Sequence, residues 1–372
     1  MANFIRVSAN LVFAVFILFI AIKILSKIFD AATIKYGTLS KKKQSGLLAV
    51  CGLLIILWPL LAKGSPYIIR TSIMALIYVV LALSLNMVIG FAGQLSMGHS
   101  AFFGIGAYVV ALLTVSYSVS FWIAMLMAGI VAAIFGFILG IPTLRLKGDY
   151  LAITTIGFAE IVRLVLVNWT NVTRGPAGIP GIPSPRIFGL VLRSNVAYYY
   201  IILILAALTV FVSYRLLHSR LGLGLIAVKD DEIAADAMGV NSTNLKILAF
   251  VLGGAIAGVA GGFFASFIRY VNPDNFTYME SVLILCMVVL GGVGSIPGVI
   301  IGAVVLTVLP EALRDISTYR YAVYGLLLIV MMIIRPQGMV SKEILKGGKL
   351  NADNGGKGGN KVLRWFSSSK QG

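Results

Sequence analysis

Long apolar runs alternate with short polar segments along most of the chain. Runs such as LLAVCGLLIILWPLL do not show the alternation of polar and apolar residues that is typical of membrane β-barrel strands. A helix needs about 20 apolar residues to cross a bilayer. We therefore predict an all-α, polytopic helical membrane protein with about 8–10 transmembrane spans and glycine-broken discontinuous helices. The predicted spans are 9–28, 46–61, 67–90, 98–119, 121–140, 150–167, 198–217, 247–269, 280–309 and 321–334.

Glycine interrupts two parts of this pattern. The segment GGVGSIPG (291–298) divides the long span 280–309 into two short helices that form a hairpin. The segment IGFAGQLSMGHSAFFGIG (89–106) combines glycine with polar side chains. Discontinuous helices expose backbone groups that can line a path for a polar solute, although glycine also serves close helix packing. We predict a substrate path formed by Gly93, Gln94, Ser96, Gly98, His99, Tyr150, Thr154, Thr155, Gly291 and Gly292.

The few ionisable residues in the spans favour structural roles. A single histidine such as His99 is more typical of a hydrogen-bond partner between helices than of a ligand-binding group. Glu160 and Arg163 lie three residues apart and are predicted to pair, since an unpaired charge in lipid costs about 3 kcal/mol. Cys51 and Cys286 both lie in apolar runs, so neither a disulfide nor a metal site is expected.

Composition and charge agree with a membrane protein. Hydrophobic residues make up 59% of the chain and charged residues 12%, and the mean hydropathy is +0.98. Soluble globular proteins carry about 25% charged residues, so a soluble class is excluded. The net charge of +17 fits basic residues in cytoplasmic loops and is not read as a signal for nucleic acid.

The distribution of lysine and arginine predicts the orientation. With the lysines of 41–43 in the cytoplasm, 143–149, 213–246 and the chain from Arg335 onward are also cytoplasmic. Residues 168–197 then form an external loop rich in proline and glycine.

The predicted domains are an N-terminal extension, 1–45, with room for one extra span; a transmembrane domain, 46–340; and a disordered basic cytoplasmic tail, 341–372.

A cluster of acids marks one cytoplasmic segment. Asp230, Asp231, Glu232 and Asp236 fall within seven residues, in a chain with 13 acids. The sequence KDDEIAADAM (229–238) predicts a short helix with its acids at the first turn and a narrow apolar face at positions 233, 234, 237 and 238. Gly239 is expected to end this helix, and Asn241 or Ser242 to cap the next. Such a segment either inserts into a groove of another protein or is a solvated connector.

Three long stretches of the chain have a distinctive sequence. They are LSLNMVIGFAGQLSMGHSAFFGIGAYVVALL (83–113), IPTLRLKGDYLAITTIGFAEIVRLVLVNWTNVTRGPAGI (141–179) and SRLGLGLIAVKDDEIAADAMGVNSTNLKILAFVLGGAIAGVAGGFFA (219–265). Two shorter features follow, VVLGGVGSIPGVIIGA (288–303) and IIRPQGM (333–339). On these motifs the chain resembles, over about residues 67–340, the permease subunits of ABC importers for branched-chain amino acids, of the LivM type.

The resemblance implies transport by alternating access in the cytoplasmic (inner) membrane of a bacterium or archaeon. It implies a second permease subunit of the LivH type, two ATP-binding subunits, an external substrate-binding protein, membrane lipid and an amino-acid substrate as partners. The acidic segment resembles the part of the family that docks on the ATPase. Importers usually have Glu-Ala-Ala with Gly six positions after the Glu, whereas Ile233 follows Glu232 here and Gly239 comes seven later. The expected ATPase-coupling residues are Asp230, Asp231, Glu232, Ile233, Ala235, Met238 and Gly239.

The chain itself is not expected to be an enzyme. It contains no G-x-x-x-x-G-K-[ST] phosphate-binding motif, so ATP hydrolysis is expected on a separate chain. No catalytic residue, cofactor, metal or nucleic-acid partner is predicted. Two alternatives remain at this stage: a permease of the same family for urea or short-chain amides, and an ion-coupled carrier or channel that works alone.

Overall fold

The computed structural model describes residues 52–60, 65–144, 146, 148–187, 190–312 and 325. Nearly all of these belong to one compact unit, Leu54–Met339. The predicted span 9–28, the N-terminal extension 1–45 and the basic tail 341–372 lie outside the described residues. Only Gly325 of the predicted span 321–334 is described, and 46–61 is described as a helix over 52–60.

Helices make up almost all of the described chain, and six helical segments in it are long and apolar enough to cross a membrane. The all-α membrane fold is therefore confirmed. Two shorter apolar helices, His99–Val115 and Ile296–Val308, accompany the six. The helices are α1 (Pro66–Asn86), α2 (His99–Val115), α3 (Phe121–Thr143), α4 (Asp149–Asn168), α5 (Thr170–Thr173), α6 (Asn195–Leu217), α7 (Arg220–Asp230), α8 (Glu232–Ala237), α9 (Ser242–Ile268), α10 (Tyr278–Gly291) and α11 (Ile296–Ala312).

Local chemistry explains several of these boundaries. Pro66 occupies the first turn of α1, where its missing N–H costs no hydrogen bond. The side chains of Ser194, Ser219 and Asn241 accept hydrogen bonds from backbone N–H groups at the starts of α6, α7 and α9. The prediction that Asn241 or Ser242 caps the helix is confirmed, and Asn241 is the residue that does so.

Helix α9 packs against both α2 and α3 at very close range. A Cβ atom at Gly106 would lie 2.0 Å from the carbonyl oxygen of Gly258, and one at Gly261 would lie 2.0 Å from that of Phe103. These separations leave room only for hydrogen, so the backbones of neighbouring helices touch. Small residues in membrane helices commonly serve this purpose. The glycines of α9 are packing residues.

The predicted hairpin within 280–309 is confirmed. Helices α10 and α11 are joined by a turn that contains Gly292 and Gly294, both with positive φ. A Cβ at Gly291 would lie 2.3 Å from the carbonyl oxygen of Gly298, so the two helices also meet backbone to backbone. Glycine is required at the turn because other residues rarely adopt positive φ.

The described residues of the loop predicted to be external, 168–187 and 190–197, form turns and short strands. The loop contains a 3-10 turn (Gly175–Ala177) and three two-residue strands: β1 (Ile179–Pro180), β2 (Arg186–Ile187) and β3 (Leu190–Val191). Strand β1 pairs antiparallel with β4 (Tyr270–Val271), which follows α9, and β2 pairs antiparallel with β3. The loop is thereby tied by backbone hydrogen bonds to the connection between α9 and α10.

The glycine contact between α2 and α9 predicts a matched pair of substitutions. Gly106→Ala should lower stability by about 1–3 kcal/mol, because its Cβ would overlap the Gly258 backbone. Gly157→Ala, in α4, meets no atom within 4 Å and should be neutral or stabilise by up to about 1 kcal/mol through helix propensity. Thermal unfolding of the detergent-solubilised protein measures both. Equal midpoints for the two variants would contradict the packing described here.

Candidate functional site

Helix α1 ends in a wide turn before the chain turns back into α2. Residues Met87–Phe91 form a π-helical turn, and 93–98 are irregular. The N–H of Gln94 donates to the carbonyl of Val88 at 3.0 Å, which lies outside the usual α-helical register. The predicted discontinuity in 89–106 is therefore confirmed. π-turns of this kind occur frequently at functional sites.

The two glycine breaks predicted from the sequence meet inside the bundle. The N–H of Gly294, in the α10–α11 turn, donates to Oδ1 of Asn86 at 2.7 Å. A Cβ at Gly90 would lie 2.1 Å from this Asn86 oxygen and 2.7 Å from the Gly294 nitrogen. We call Asn86, Gly90 and Gly294 the helix-break junction. Segments more than 200 residues apart in sequence are thus held in backbone contact.

Buried side-chain hydrogen bonds surround the junction. Nε2 of His99 lies 2.6 Å from Oγ of Ser84, and both residues are fully buried. The prediction that His99 bonds to a neighbouring helix is confirmed. The N–H of Ser100 donates to Oγ of Ser281, which in turn donates to Oγ of Ser100, each at 2.8 Å. The first turn of α2 is therefore bonded to both α1 and α10.

Two of the predicted path residues pack the irregular segment against α4. The N–H of Met97 donates to Oγ1 of Thr155 at 2.9 Å. A Cβ at Gly98 would lie 2.2 Å from the carbonyl oxygen of Thr155, so only glycine fits there. Tyr150, by contrast, is 74% exposed, and the Thr154 hydroxyl donates within its own helix to the Tyr150 carbonyl. The structure does not bring these last two residues into the buried cluster.

The junction also holds polar atoms without partners. Among the described residues, five buried side-chain atoms make no hydrogen bond, and four of them lie in or beside the break. An unsatisfied buried polar group is costly, so such atoms are unusual outside functional sites. These donors and acceptors have no hydrogen-bond partner in the described part of the chain. The four atoms are Asn86 Nδ2, Gln94 Oε1, Ser96 Oγ and His99 Nδ1.

The acidic segment differs from its prediction in one respect. A single helix over 229–238 is wrong, because α7 ends at Asp230 and α8 begins at Glu232. Asp231 between them is extended and accepts hydrogen bonds from the N–H groups of Ile233 and Ala234 at 2.9 and 3.0 Å. An aspartate side chain competes well for such N–H groups, so it ends one helix and starts another.

Two of the remaining acids, Glu232 and Asp236, also have internal partners. Glu232 pairs with Lys246 of α9 at 2.5 Å. Asp236 accepts hydrogen bonds from the N–H and the hydroxyl of Ser242, each at 3.1 Å. Gly239 has a φ of +81°, which agrees with its predicted role as the stop after the helix. These acids fix α8 onto the start of α9, and Asp230 is exposed.

The apolar face of the acidic segment is uncovered. Ile233 is 79% exposed and Met238 is 84% exposed, and Ala234 and Ala237 beside them are exposed too. These are the positions predicted to form the narrow apolar face. Ala235, which was expected to contact an ATPase, is instead buried against the chain at 5% exposure. The exposed surface of the segment therefore combines these apolar side chains with the acids Asp230, Asp231 and Asp236.

An apolar helix bundle with two broken helices that meet in its interior is typical of a multi-pass membrane transport protein. The sequence comparisons agree. The chain belongs to the family described as branched-chain amino acid transport system / permease component, whose sequence profile matches residues 67–334.

Three relatives illustrate the breadth of the family. The LivM permease protein of the high-affinity branched-chain amino acid transport system of Salmonella typhimurium is 40% identical over 81% of this chain and 76% of its own length. A probable LivM protein of Methanocaldococcus jannaschii is 26% identical over 72% of this chain and 91% of its own length. The LivH permease protein of Salmonella typhimurium is 30% identical over 71% of this chain and 91% of its own length. No solved structure matches the chain.

The bond between Met97 and Thr155 gives a test of how the break is held. Thr155→Val should lower stability by about 1–3 kcal/mol, because it leaves the Met97 N–H buried without an acceptor. Thr154→Val, one residue away, removes a hydroxyl that bonds only within its own helix and should have a smaller effect. Unfolding midpoints of the two variants in the same detergent test whether the bond between Met97 and Thr155 stabilises the fold. A Thr154→Val effect as large as that of Thr155→Val would count against it.

Proposed function

We propose that this chain is the permease subunit of an ATP-driven importer for branched-chain, aliphatic amino acids, which works by alternating access. Separate ATPase subunits dock on residues 229–239, which we call the docking segment. The observation that carries the proposal is the exposed apolar face of α8, with Ile233 and Met238 as its largest side chains. Family membership supports the class of transporter. The exposed face is the proposed contact surface for the ATPase subunits.

The docking segment has the physical properties of a helix that enters a groove. Burial of a large apolar side chain contributes about 1.5–3 kcal/mol, so Ile233 and Met238 together can account for much of an interface. The bonds of Asp231 and Glu232 hold these side chains in a fixed position before any partner arrives. Preorganisation of this kind lowers the entropic cost of binding. The acids therefore act mainly as the frame of the docking segment.

The substrate path is proposed to run along the helix-break junction. An amino acid brings a carboxylate, an ammonium group and an apolar side chain. The unpartnered atoms of Gln94, Ser96 and His99 offer polar contacts, and the fully buried ring of Phe102 beside His99 offers an apolar wall. Gly93 and Gly292 supply turns of positive φ, and Gly291 lets α10 approach the backbone of Gly298. Thr155 and Gly98 position this wall, and Tyr150 and Thr154 stand outside it.

The proposed assembly contains a second permease of the LivH type, two ATP-binding subunits and an external substrate-binding protein. The similarity of this chain to LivH proteins supports a pair of related permeases, since both partners would then share one architecture. The ordered loop 168–197 is the proposed contact for the binding protein. Relatives from bacteria and an archaeon support a place in the cytoplasmic membrane.

Docking through the exposed face is testable by co-purification. Ile233→Ser and Met238→Ser should each weaken ATPase binding by about tenfold or more, because an apolar contact worth about 1.5–3 kcal/mol is lost. Leu223→Ser is a matched control, since Leu223 is 64% exposed on the preceding helix α7. These variants are cleaner than charge reversal of Asp230, Asp231 and Glu232, which would also break the bonds inside the segment. Full ATPase recovery with both serine variants would exclude this face.

Transport by the reconstituted complex tests the substrate and the energy source. In proteoliposomes with the ATPases and the binding protein, labelled leucine should enter only with ATP, and labelled urea should not enter. Uptake of urea in place of leucine would assign the chain to the amide branch of the family. Uptake by the purified chain without ATP would indicate an ion-coupled carrier. Pairing of Glu160 with Arg163, at 2.6 Å, argues against that outcome, because it leaves this carboxylate neutralised within the span.

A further inference from the structure

One side chain connects the docking segment with the helix-break junction. Lys229 is the penultimate residue of α7, directly before the acids of the docking segment. Its Nζ atom donates to the carbonyl oxygen of Gly90 at 2.9 Å. Its stem lies against Gly93, where a Cβ would be only 2.8 Å from Cγ of Lys229. The side chain therefore reaches from the cytoplasmic segment to the π-turn that ends α1.

The π-turn is what makes this contact available. In a regular helix the N–H of Gln94 would donate to the carbonyl of Gly90. Here it donates to the carbonyl of Val88, so the Gly90 oxygen is left for another donor. Carbonyl groups at the end of a helix carry partial negative charge and attract an ammonium group. The Lys229 ammonium satisfies this oxygen.

Gly90 is itself a member of the junction. On its other side it lies against the Gly294 nitrogen and the Asn86 oxygen, closely enough that no side chain fits. Lys229 thus bonds to a residue that touches the α10–α11 turn directly. A movement of the docking segment by even about 1 Å would change the Lys229 contact, since hydrogen bonds weaken steeply with distance and angle.

The lysine is not held by its acidic neighbours. Among the described residues, no carboxylate lies within salt-bridge distance of Lys229, although Asp230 and Asp231 follow it directly. The residue is also exposed over much of its surface, so the bond to Gly90 can open without a large loss of buried area. These features suit a contact that forms and breaks during a cycle.

We propose that Lys229 is a positioning residue that transmits movement of the docking segment to the helix-break junction. When the docking segment shifts with its ATPase, the bond between Lys229 and Gly90 draws the π-turn with it and changes its contact with Gly294. The inference rests on the proposed function, because it assumes that an ATPase moves the docking segment. It goes further by naming the atom pair through which that movement reaches the path.

The test compares coupling in the complete reconstituted transporter. Lys229→Met keeps a side chain of similar length but removes the donor, and Lys229→Arg keeps a donor. With Lys229→Met, the number of ATP molecules hydrolysed per leucine imported should rise by at least about fivefold, the scale of typical coupling between sites. Binding of the ATPases and ATP hydrolysis itself should stay close to wild type, because Lys229 lies outside the exposed apolar face of Ile233, Ala234, Ala237 and Met238 to which the ATPase contact is assigned. Lys229→Arg should restore part of the coupling.

Arg220→Met is the matched control, because Arg220 is an exposed basic residue at the start of the same helix. It should leave the ratio of ATP to leucine unchanged. Wild-type coupling in Lys229→Met would overturn the inference, and so would loss of ATPase binding, which would place Lys229 in the interface instead. Should the methionine variant not insert into the membrane, Lys229→Leu, which also lacks a donor, gives the same comparison. Failure of the wild-type complex to bind ATPases would refute the proposed function separately.

Discussion

The hydrogen bond between Gly294 and Asn86 joins the two places where the helices of this protein are broken. Without it, the turn between α10 and α11 and the end of α1 would be two separate defects in an apolar bundle. The bond satisfies one buried N–H and fixes the distance between two backbones. At position 90, between these two backbones, only glycine fits, because a Cβ atom would overlap the Asn86 oxygen and the Gly294 nitrogen. The hydrogen bonds of His99 with Ser84 and of Ser281 with Ser100 lie around this contact.

Close backbone packing and unsatisfied polar atoms occur side by side in this region. The first lowers the energy of the bundle, and the second raises it by leaving atoms such as Ser96 Oγ without a partner. Folded proteins retain such costs where binding or movement requires them. The docking segment shows the opposite balance, because Asp231, Glu232 and Asp236 are bonded and its apolar groups, Ile233 and Met238, are uncovered. The junction thus has polar atoms without partners, and the docking segment has apolar side chains without cover.

The sequence was sufficient to predict the helices, the hairpin and the pairing of Glu160 with Arg163, because each follows from patterns within a few turns. It did not reveal Asn86, whose partner is 208 residues away, or Lys229, whose partner is 139 residues away. Asn86 did carry a signal, as an amide in an apolar run four residues before Gly90. The break at Asp231 was missed because aspartate suits both the first turn of a helix and the position before it.

The strands of the turn-rich loop 168–197 add a mechanical asymmetry. At that end of the bundle, β1 and β4 are bonded through their backbones, and Arg269 donates to the hydroxyl of Ser184 at 2.7 Å. The connections α4–α6 and α9–α10 are thereby locked to each other. At the opposite end, Gly292 and Gly294 form the α10–α11 turn, and single side-chain bonds from Asn86 and Lys229 join separate segments. Rocking of the helices would accordingly pivot at the strand-bonded end and reach its greatest amplitude at the other.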